Sequence, residues 1–243
     1  MPLKQSEGFV LRTFNIGEQD KVVVFFSKDR GLIKGVAKGA RKFSNRFGSS
    51  LEPLSYIRLF YYEKERKELV VFSNSDLIES FFDLQKDLKT SFTLAFFAEL
   101  IEEFFPSNSA DDILYRLLRT LLQSLKGGAD PDFISVYFEA WFLKINGFLP
   151  DFRRCKKCRA EAEGITWLSS RKDGLVCQNC ATEKKIEIPP DFPVFMTWVK
   201  KNPPPKDASV PFAADRIKSF QKILRPLVVF HMEREPKSLR FLD

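Results

Sequence analysis

The four cysteines are the side chains whose type and spacing define a chemistry on their own. They fall in two pairs, Cys155-x2-Cys158 and Cys177-x2-Cys180, with eighteen residues between the pairs. Two residues between cysteines let both sulfurs of one tight turn reach a single ion. Two such turns supply four thiolates, the donor set of tetrahedral zinc. Four thiolates leave no coordination position for water, so the predicted zinc is structural, one ion per chain. Its binding, about 10–16 kcal/mol in finger peptides, would help fold a segment too small for a core of its own. A redox switch is the other reading of the paired spacing. The start of the chain shows no basic segment followed by an apolar stretch, so no signal peptide is expected, and disulfides are disfavoured on compartment grounds. Arg153, Arg154, Lys156, Lys157 and Arg159 crowd the first pair. They either offset the formal −2 charge of a four-thiolate zinc site or touch phosphate.

The second constellation is cationic. Lys28, Arg30, Lys34, Lys38, Arg41, Lys42 and Arg46 lie within nineteen residues that contain one acid, Asp29. On a strand, Lys34, Val36 and Lys38 share one face and Ile33, Gly35 and Ala37 the other. The small residues suit the interior of a tight barrel, which turns the lysines outward into a basic loop. Gly35 and Gly39 permit bulging or close backbone approach. Cations in a row on a barrel surface are what a groove that tracks phosphates needs. The alternative is a solvated hairpin. Phe43 and Phe47 flank the loop and are expected to anchor it, with base stacking as the other role.

Catalytic chemistry has little to stand on. His231, the one histidine, sits among apolar residues of the final helical stretch and reads as packed or surface. There is no Gly-x4-Gly-Lys-Ser/Thr loop and no His-x-Glu with Pro-Cys-x-x-Cys. Asp111-Asp112 reads as helix N-terminal charge. The net charge of +7 is unevenly placed: +4 over 1–80, −4 over 81–150 and +7 over 151–243. Basic ends favour a polyanionic partner and the acidic middle a protein partner or core. The 26 phenylalanines are expected to be mostly core.

The positioning elements can be read from periodicity. Phe9–Phe14, Lys21–Ser27, Leu32–Lys38, Ser55–Tyr62 and Glu68–Ser73 read as five short strands. Asp29-Arg30-Gly31 makes a hairpin, and the charged run from Glu63 to Lys67 joins the last two. Five strands in about 75 residues fit a closed barrel of the OB type, with an SH3-like barrel as the alternative. From Asp76 the period changes to helical. Helices are predicted over Ser91–Phe105, after a Ser109/Asp112 capping box, from Pro131 to Ile145, over Phe192–Lys201, and over Ala214–Met232 with Pro226 kinking or dividing the last. The expected architecture is multidomain α+β. An OB-type barrel (1–80) is followed by an α-helical bundle (81–150 and 187–243) that carries a four-cysteine zinc-finger insertion (151–186).

Glu7–Leu11, Gly31-Leu32, Lys34–Arg41, Leu51-Glu52-Pro53, Glu139–Leu143, Gly147–Pro150, both Cys-x2-Cys pairs and Lys237–Leu242 follow one another in an order that spans nearly the whole chain. Through these residues the chain resembles the bacterial RecO family of DNA-repair recombination mediators. The resemblance implies a non-enzymatic protein. It would bind single- and double-stranded DNA and anneal complementary strands. With RecR it would help load RecA onto DNA coated with single-strand-binding protein. It assigns DNA contact to Lys34, Lys38 and Arg41, and makes the zinc a scaffold. It also implies a pocket in the helical part for the acidic C-terminal tail of single-strand-binding protein, for which Arg216 or Lys222 would suit. The expected location is cytoplasmic, at the nucleoid. The competing readings are a zinc-stapled adaptor with little DNA affinity of its own, and a zinc enzyme, which four thiolates argue against.

Overall fold

The computed structural model describes residues 2–63, 69–107 and 109–242. Contacts gather the chain into two compact units, Met1–Arg119 and Thr120–Phe241.

In the first unit, β1 (Leu3–Ile16), β2 (Asp20–Ser27), β3 (Gly31–Ala37), β4 (Tyr56–Tyr62) and β5 (Val70–Glu79) close into a barrel ordered β1-β2-β3-β5-β4. Every neighbouring pair is antiparallel except β3 with β5. This is the five-stranded OB-type barrel expected from the strand spacing. Its interior holds Val10, Val23, Phe25, Ile33, Ala37, Ile57, Leu59, Tyr61 and Phe72. β3 alternates as its sequence requires, with Ile33, Gly35 and Ala37 buried and Lys34 and Val36 half-buried on the outside. Gly35 is needed for packing, because a Cβ there would lie 2.5 Å from the Phe72 ring. Gly31 is needed for the turn: φ is +66° and the Ser109 carbonyl oxygen would sit 2.1 Å from its Cβ.

One expectation shifts here. β5 continues to Glu79, beyond the change of period at Asp76. Its last residues pair with β4 (Leu77 with Ile57, Glu79 with Tyr56) while Leu77 and Ile78 are exposed. Main-chain pairing to β4 continues to this end while its apolar side chains face solvent, so no alternation of apolar residues marks it. The expected start of that strand at Glu68, and the charged run as far as Lys67, lie outside the described residues apart from Glu63.

A short 3-10 turn (Phe82–Lys86) leads into α1 (Leu88–Phe104), capped by Asp87, whose Oδ2 accepts the Thr90 N–H at 2.8 Å. α2 (Asp112–Lys126) buries Leu114, Leu117, Leu118, Leu121, Leu122 and Leu125. Its cap is Asp111, which accepts the Leu114 N–H at 2.7 Å. The expected Ser109 box does not form. With the helix starting at Asp112, Ser109 lies too far upstream to be the capping residue. The division between the two units falls within α2.

In the second unit, Asp130 caps α3 (Pro131–Ile145) by accepting the Phe133 N–H at 2.9 Å. α3 packs on α4 (Phe192–Lys201) and α5 (Ala214–Met232), and α5 runs through Pro226 undivided. The core is aromatic. Phe195 stacks on Phe220 at 4.6 Å, and Phe133 meets Trp198 edge-on at 5.6 Å. Between α3 and α4 the cysteine segment forms a small sheet ordered β7-β6-β8 from β6 (Thr166–Leu168), β7 (Leu175–Val176) and β8 (Glu187–Ile188). Strands of two or three residues are too short to leave a period in the sequence. Among the described residues no helix is long and apolar enough to cross a membrane.

Candidate metal centre and candidate nucleic-acid interface

The cysteine turns are built by the backbone. The Cys155 carbonyl accepts the Arg159 N–H at 2.9 Å, and Arg159 closes the turn in the left-handed region at φ +65°. The Cys177 carbonyl accepts the N–H groups of Cys180 and Ala181, each at 3.0 Å. The Lys156 N–H bonds the Leu175 carbonyl at 2.9 Å, tying the first turn to β7. The four Sγ atoms lie within 4.8 Å of one another, and Cys158 Sγ is 3.7 Å from Cys177 Sγ. Tetrahedral zinc with ~2.3 Å bonds places its sulfurs about 3.8 Å apart, whereas a disulfide needs ~2.05 Å. The cysteines therefore form a preassembled site able to hold one metal ion.

The thiols are electrostatically unequal. Burial resists ionisation of Cys155, but backbone N–H groups of Cys158, Cys177 and Lys157 outweigh it and bring the thiol down to about 6. Among these, the Cys177 N–H donates to Cys155 Sγ at 3.4 Å. Hydrogen bonding with the Cys177 and Cys158 thiols, together with burial, pushes Cys180 up to about 12. Cys155 ionises readily while Cys180 resists ionisation, and a bound cation favours the thiolate of both.

The cations around the first turn have local partners. Arg153 pairs with Asp151 at 3.0 Å, Arg154 with Glu161 at 3.8 Å, and Lys156 with Asp173. Lys157 Nζ donates to the Cys180 carbonyl at 2.9 Å. With Arg159, the residues Arg153, Arg154 and Lys156 line a cleft of about 980 Å³ that Asp151, Glu161 and Asp173 also enter. His231 stacks on Phe148 at 4.1 Å, and burial lowers its pKa, as expected of a packed histidine. Of the two cations considered for an acidic tail, Arg216 is engaged by Asp191 through Nε at 2.6 Å and a second bond, and Lys222 is exposed.

In the first unit the basic run divides in two. Arg30 donates from Nη1 and Nη2 to the Glu63 carboxylate at 3.1 and 3.2 Å. Lys4 joins the same carboxylate, and the two cations hold Glu63 below its ordinary pKa, Lys4 the more strongly. Lys34 Nζ is 3.3 Å from Glu102 of α1. These two cations are partly committed to the fold. Lys28, Lys38, Arg41, Lys42 and Arg46 are exposed, and the last four ride the loop between β3 and β4. That loop is pinned at several points. The Gly39 N–H bonds Asp20 Oδ1 at 2.8 Å, the Arg41 N–H bonds the Gln19 carbonyl at 2.9 Å, and Asn45 Oδ1 accepts the N–H groups of Phe47 and Gly48, each at 2.9 Å. Phe47 is buried in the barrel core and anchors the loop as expected. Phe43 does not: it is fully exposed. Both residues were expected to take one role because residue type alone does not show which side of a loop faces the barrel. Glu102, which faces Lys34 and also Arg12, was missed too. Its sequence signal is its place beside Glu99 and Glu103 among the acids of α1.

Family models agree with this architecture over nearly the whole chain. Recombination protein O N terminal matches residues 1–81, and Recombination protein O C terminal matches 85–240. The chain belongs to the RecO family. Similar RecO proteins are those of Koribacter versatilis (32% identical over 241 residues, 99% of this chain and 98% of the relative) and Caldicellulosiruptor saccharolyticus (30% over 188 residues, 77% and 76%). That of Dehalococcoides mccartyi is 27% identical over 242 residues, covering 98% and 94%. Each is named DNA repair protein RecO. Membership of the RecO family makes this a protein of DNA repair and recombination.

Proposed function

We propose that this RecO protein is a non-enzymatic DNA handler. It binds single- and double-stranded DNA, anneals complementary strands and, with RecR, helps load RecA onto DNA coated with single-strand-binding protein. The observation that carries the reading is the pinned loop after β3, which holds four exposed cations, Lys38, Arg41, Lys42 and Arg46, on an OB-type barrel. Annealing brings two polyanions together against their mutual repulsion, and a fixed basic surface lowers that barrier without reading sequence. A pinned loop loses little freedom on binding, so more of the phosphate attraction is kept as affinity. Lys28 extends this surface, with Lys34 and Arg30 as secondary contributors because carboxylates hold them. Arg153, Arg154, Lys156 and Lys157 are further candidates for phosphate.

Cys155, Cys158, Cys177 and Cys180 would hold one zinc ion, which would supply a four-way cross-link. Around it, the chain's own N–H groups set the sulfur positions and the neighbouring cations offset thiolate charge. The domains are the barrel (1–80), the helical part (81–150 and 187–243) and the cysteine insertion (151–186). The place of work is the cytoplasm, at the nucleoid, with the acidic tail of single-strand-binding protein as a further partner.

The test is annealing of two complementary fluorescent oligonucleotides at two salt concentrations, wild type against Lys38→Glu/Arg41→Glu. The expected result is rapid, salt-sensitive annealing that the double variant loses. Five phosphate contacts would weaken single-strand binding about 100-fold between 50 and 200 mM salt. A wild type that neither binds nor anneals at low salt overturns the reading and leaves the adaptor role.

A further inference from the structure

Phe43 stands out within the basic loop. Its exposure, at 107% of the reference value, is higher than that of the other exposed large apolar side chains. Lys42 precedes it in the chain, and Arg41 and Arg46 lie two and three residues away, all exposed. No acid occurs between Gly39 and Leu51. Among the described residues, no ring or cation packs on it.

The other aromatic of the loop shows that the apolar alternative was available. Phe47, four residues on, is 3% exposed and sits with Ala40 and Leu51 in the barrel core, its outer face under the Arg46 guanidinium at 5.1 Å. The loop thus spends one phenylalanine on its anchor and holds the other out in water. The backbone on both sides of Phe43 is tied down by Asp20, Gln19 and Asn45, so the loop carries the ring on a defined path. A fixed apolar ring among cations has two of the parts that single-stranded nucleic acid requires: charges for the backbone, and a π-face for a base released from pairing. A paired base offers no such face, because its neighbours in the stack cover both sides.

We infer that Phe43 is a base-stacking residue that gives the loop its preference for single strands over duplex. The inference rests on the DNA-binding reading above and adds the residue that discriminates between the two forms. The flanking cations bind phosphate in either form. Phe43 adds a contact only when a base is unpaired. In annealing it would hold the strand unstacked until its complement arrives, then release it as the pair forms.

The experiment measures wild type, Phe43→Ala and Phe43→Trp against a thymine oligonucleotide carrying one 2-aminopurine, and against a duplex of equal length, over a salt series. Phe43→Ala is expected to weaken single-strand binding by at least about fivefold, with duplex affinity and the salt slope unchanged. Phe43→Trp is expected to restore single-strand affinity. The 2-aminopurine emission should be quenched by wild type and by the tryptophan variant, and not by the alanine variant. Far-ultraviolet circular dichroism confirms that each variant is folded. Alanine that leaves single-strand binding unchanged, or weakens both forms equally, overturns the inference while the DNA reading stands. A wild type that binds neither oligonucleotide overturns both.

Discussion

Lys34 on β3 and Glu102 on α1 form an ion pair, Nζ to Oε1 at 3.3 Å, and the other oxygen of the same carboxylate is 3.2 Å from Arg12 Nη1. One carboxylate therefore holds two cations that face outward from the barrel. Exposed pairs of this kind stabilise a fold by ~1 kcal/mol or less, so the larger consequence is for binding. Glu102→Gln should free both cations. In a salt titration followed by fluorescence anisotropy, the single-strand slope of log K against log salt should steepen by about 0.7 for each cation that then reaches phosphate. An unchanged slope would place Lys34 and Arg12 outside the DNA path. Lys38, which is exposed, is the cleaner site for charge reversal, because Lys34→Glu would set two carboxylates side by side and mix instability with lost binding.

The two phenylalanines of the loop should separate stability from function. Phe47→Ala empties a place in the barrel core and should destabilise the first unit by about 3–5 kcal/mol. Phe43→Ala removes no contact and should change stability by less than ~0.5 kcal/mol. Denaturant unfolding followed by far-ultraviolet circular dichroism checks both. Equal effects would mean that the loop packs differently from the arrangement described here.

Much of the fold was legible because its signals are local. The valine-rich run of β2, the small inward residues of β3 and the Asp130-Pro131 start of α3 each carry their own structural rule. The cysteine site was legible for the same reason, since the spacing states the geometry. What escaped depends on partners distant in sequence. The end of β5 is held by main-chain pairing to β4, and Lys34 is tied to a carboxylate 68 residues away. The exposure of Phe43 depends on which side of a loop meets the barrel. The start of α2 was misjudged for a local reason: Ser109 and Asp111 are both good caps, and only the position of the first turn decides between them.

Removing the metal should affect the cysteine segment selectively. Metal analysis of the purified protein is expected to return one zinc per chain. Cys158→Ser or Cys177→Ser, or treatment with a strong chelator, should abolish it. Trypsin should then cut after the many basic residues between Arg153 and Lys185, which the metal-bound turns protect, while the barrel survives. Because the zinc is read as scaffold, oligonucleotide binding through the β3–β4 loop should fall by less than about threefold. A large loss of binding would instead assign Arg153, Arg154, Lys156 or Lys157 to the DNA path, where the local pairs with Asp151, Glu161 and Asp173 would have to open.

Glu139 on α3 should make stability depend on pH in an unusual direction. Its side chain is fully buried; Oε1 accepts a hydrogen bond from Ser135 Oγ at 3.0 Å and lies 3.5 Å from Arg225 Nε. Burial pushes its pKa up to about 7, against the opposing pull of Arg225 and the Ser135 bond. An acid raised in the native state binds more protons there than in the unfolded chain between about pH 4.5 and 7. Its contribution is therefore full below that window and is lost as pH rises through it, with a ceiling of ~3 kcal/mol. His231 acts oppositely, because burial lowers its pKa and favours the neutral ring as pH rises. The comparison must therefore be with Glu139→Gln, which keeps an acceptor for Ser135 and leaves His231 untouched. From pH 5 to pH 8 the wild type should lose stability relative to the glutamine variant in denaturant unfolding. A difference that stays flat over that range would mean that Arg225 keeps Glu139 ionised throughout, and that α3 and α5 are joined by a buried ion pair rather than by a protonated acid.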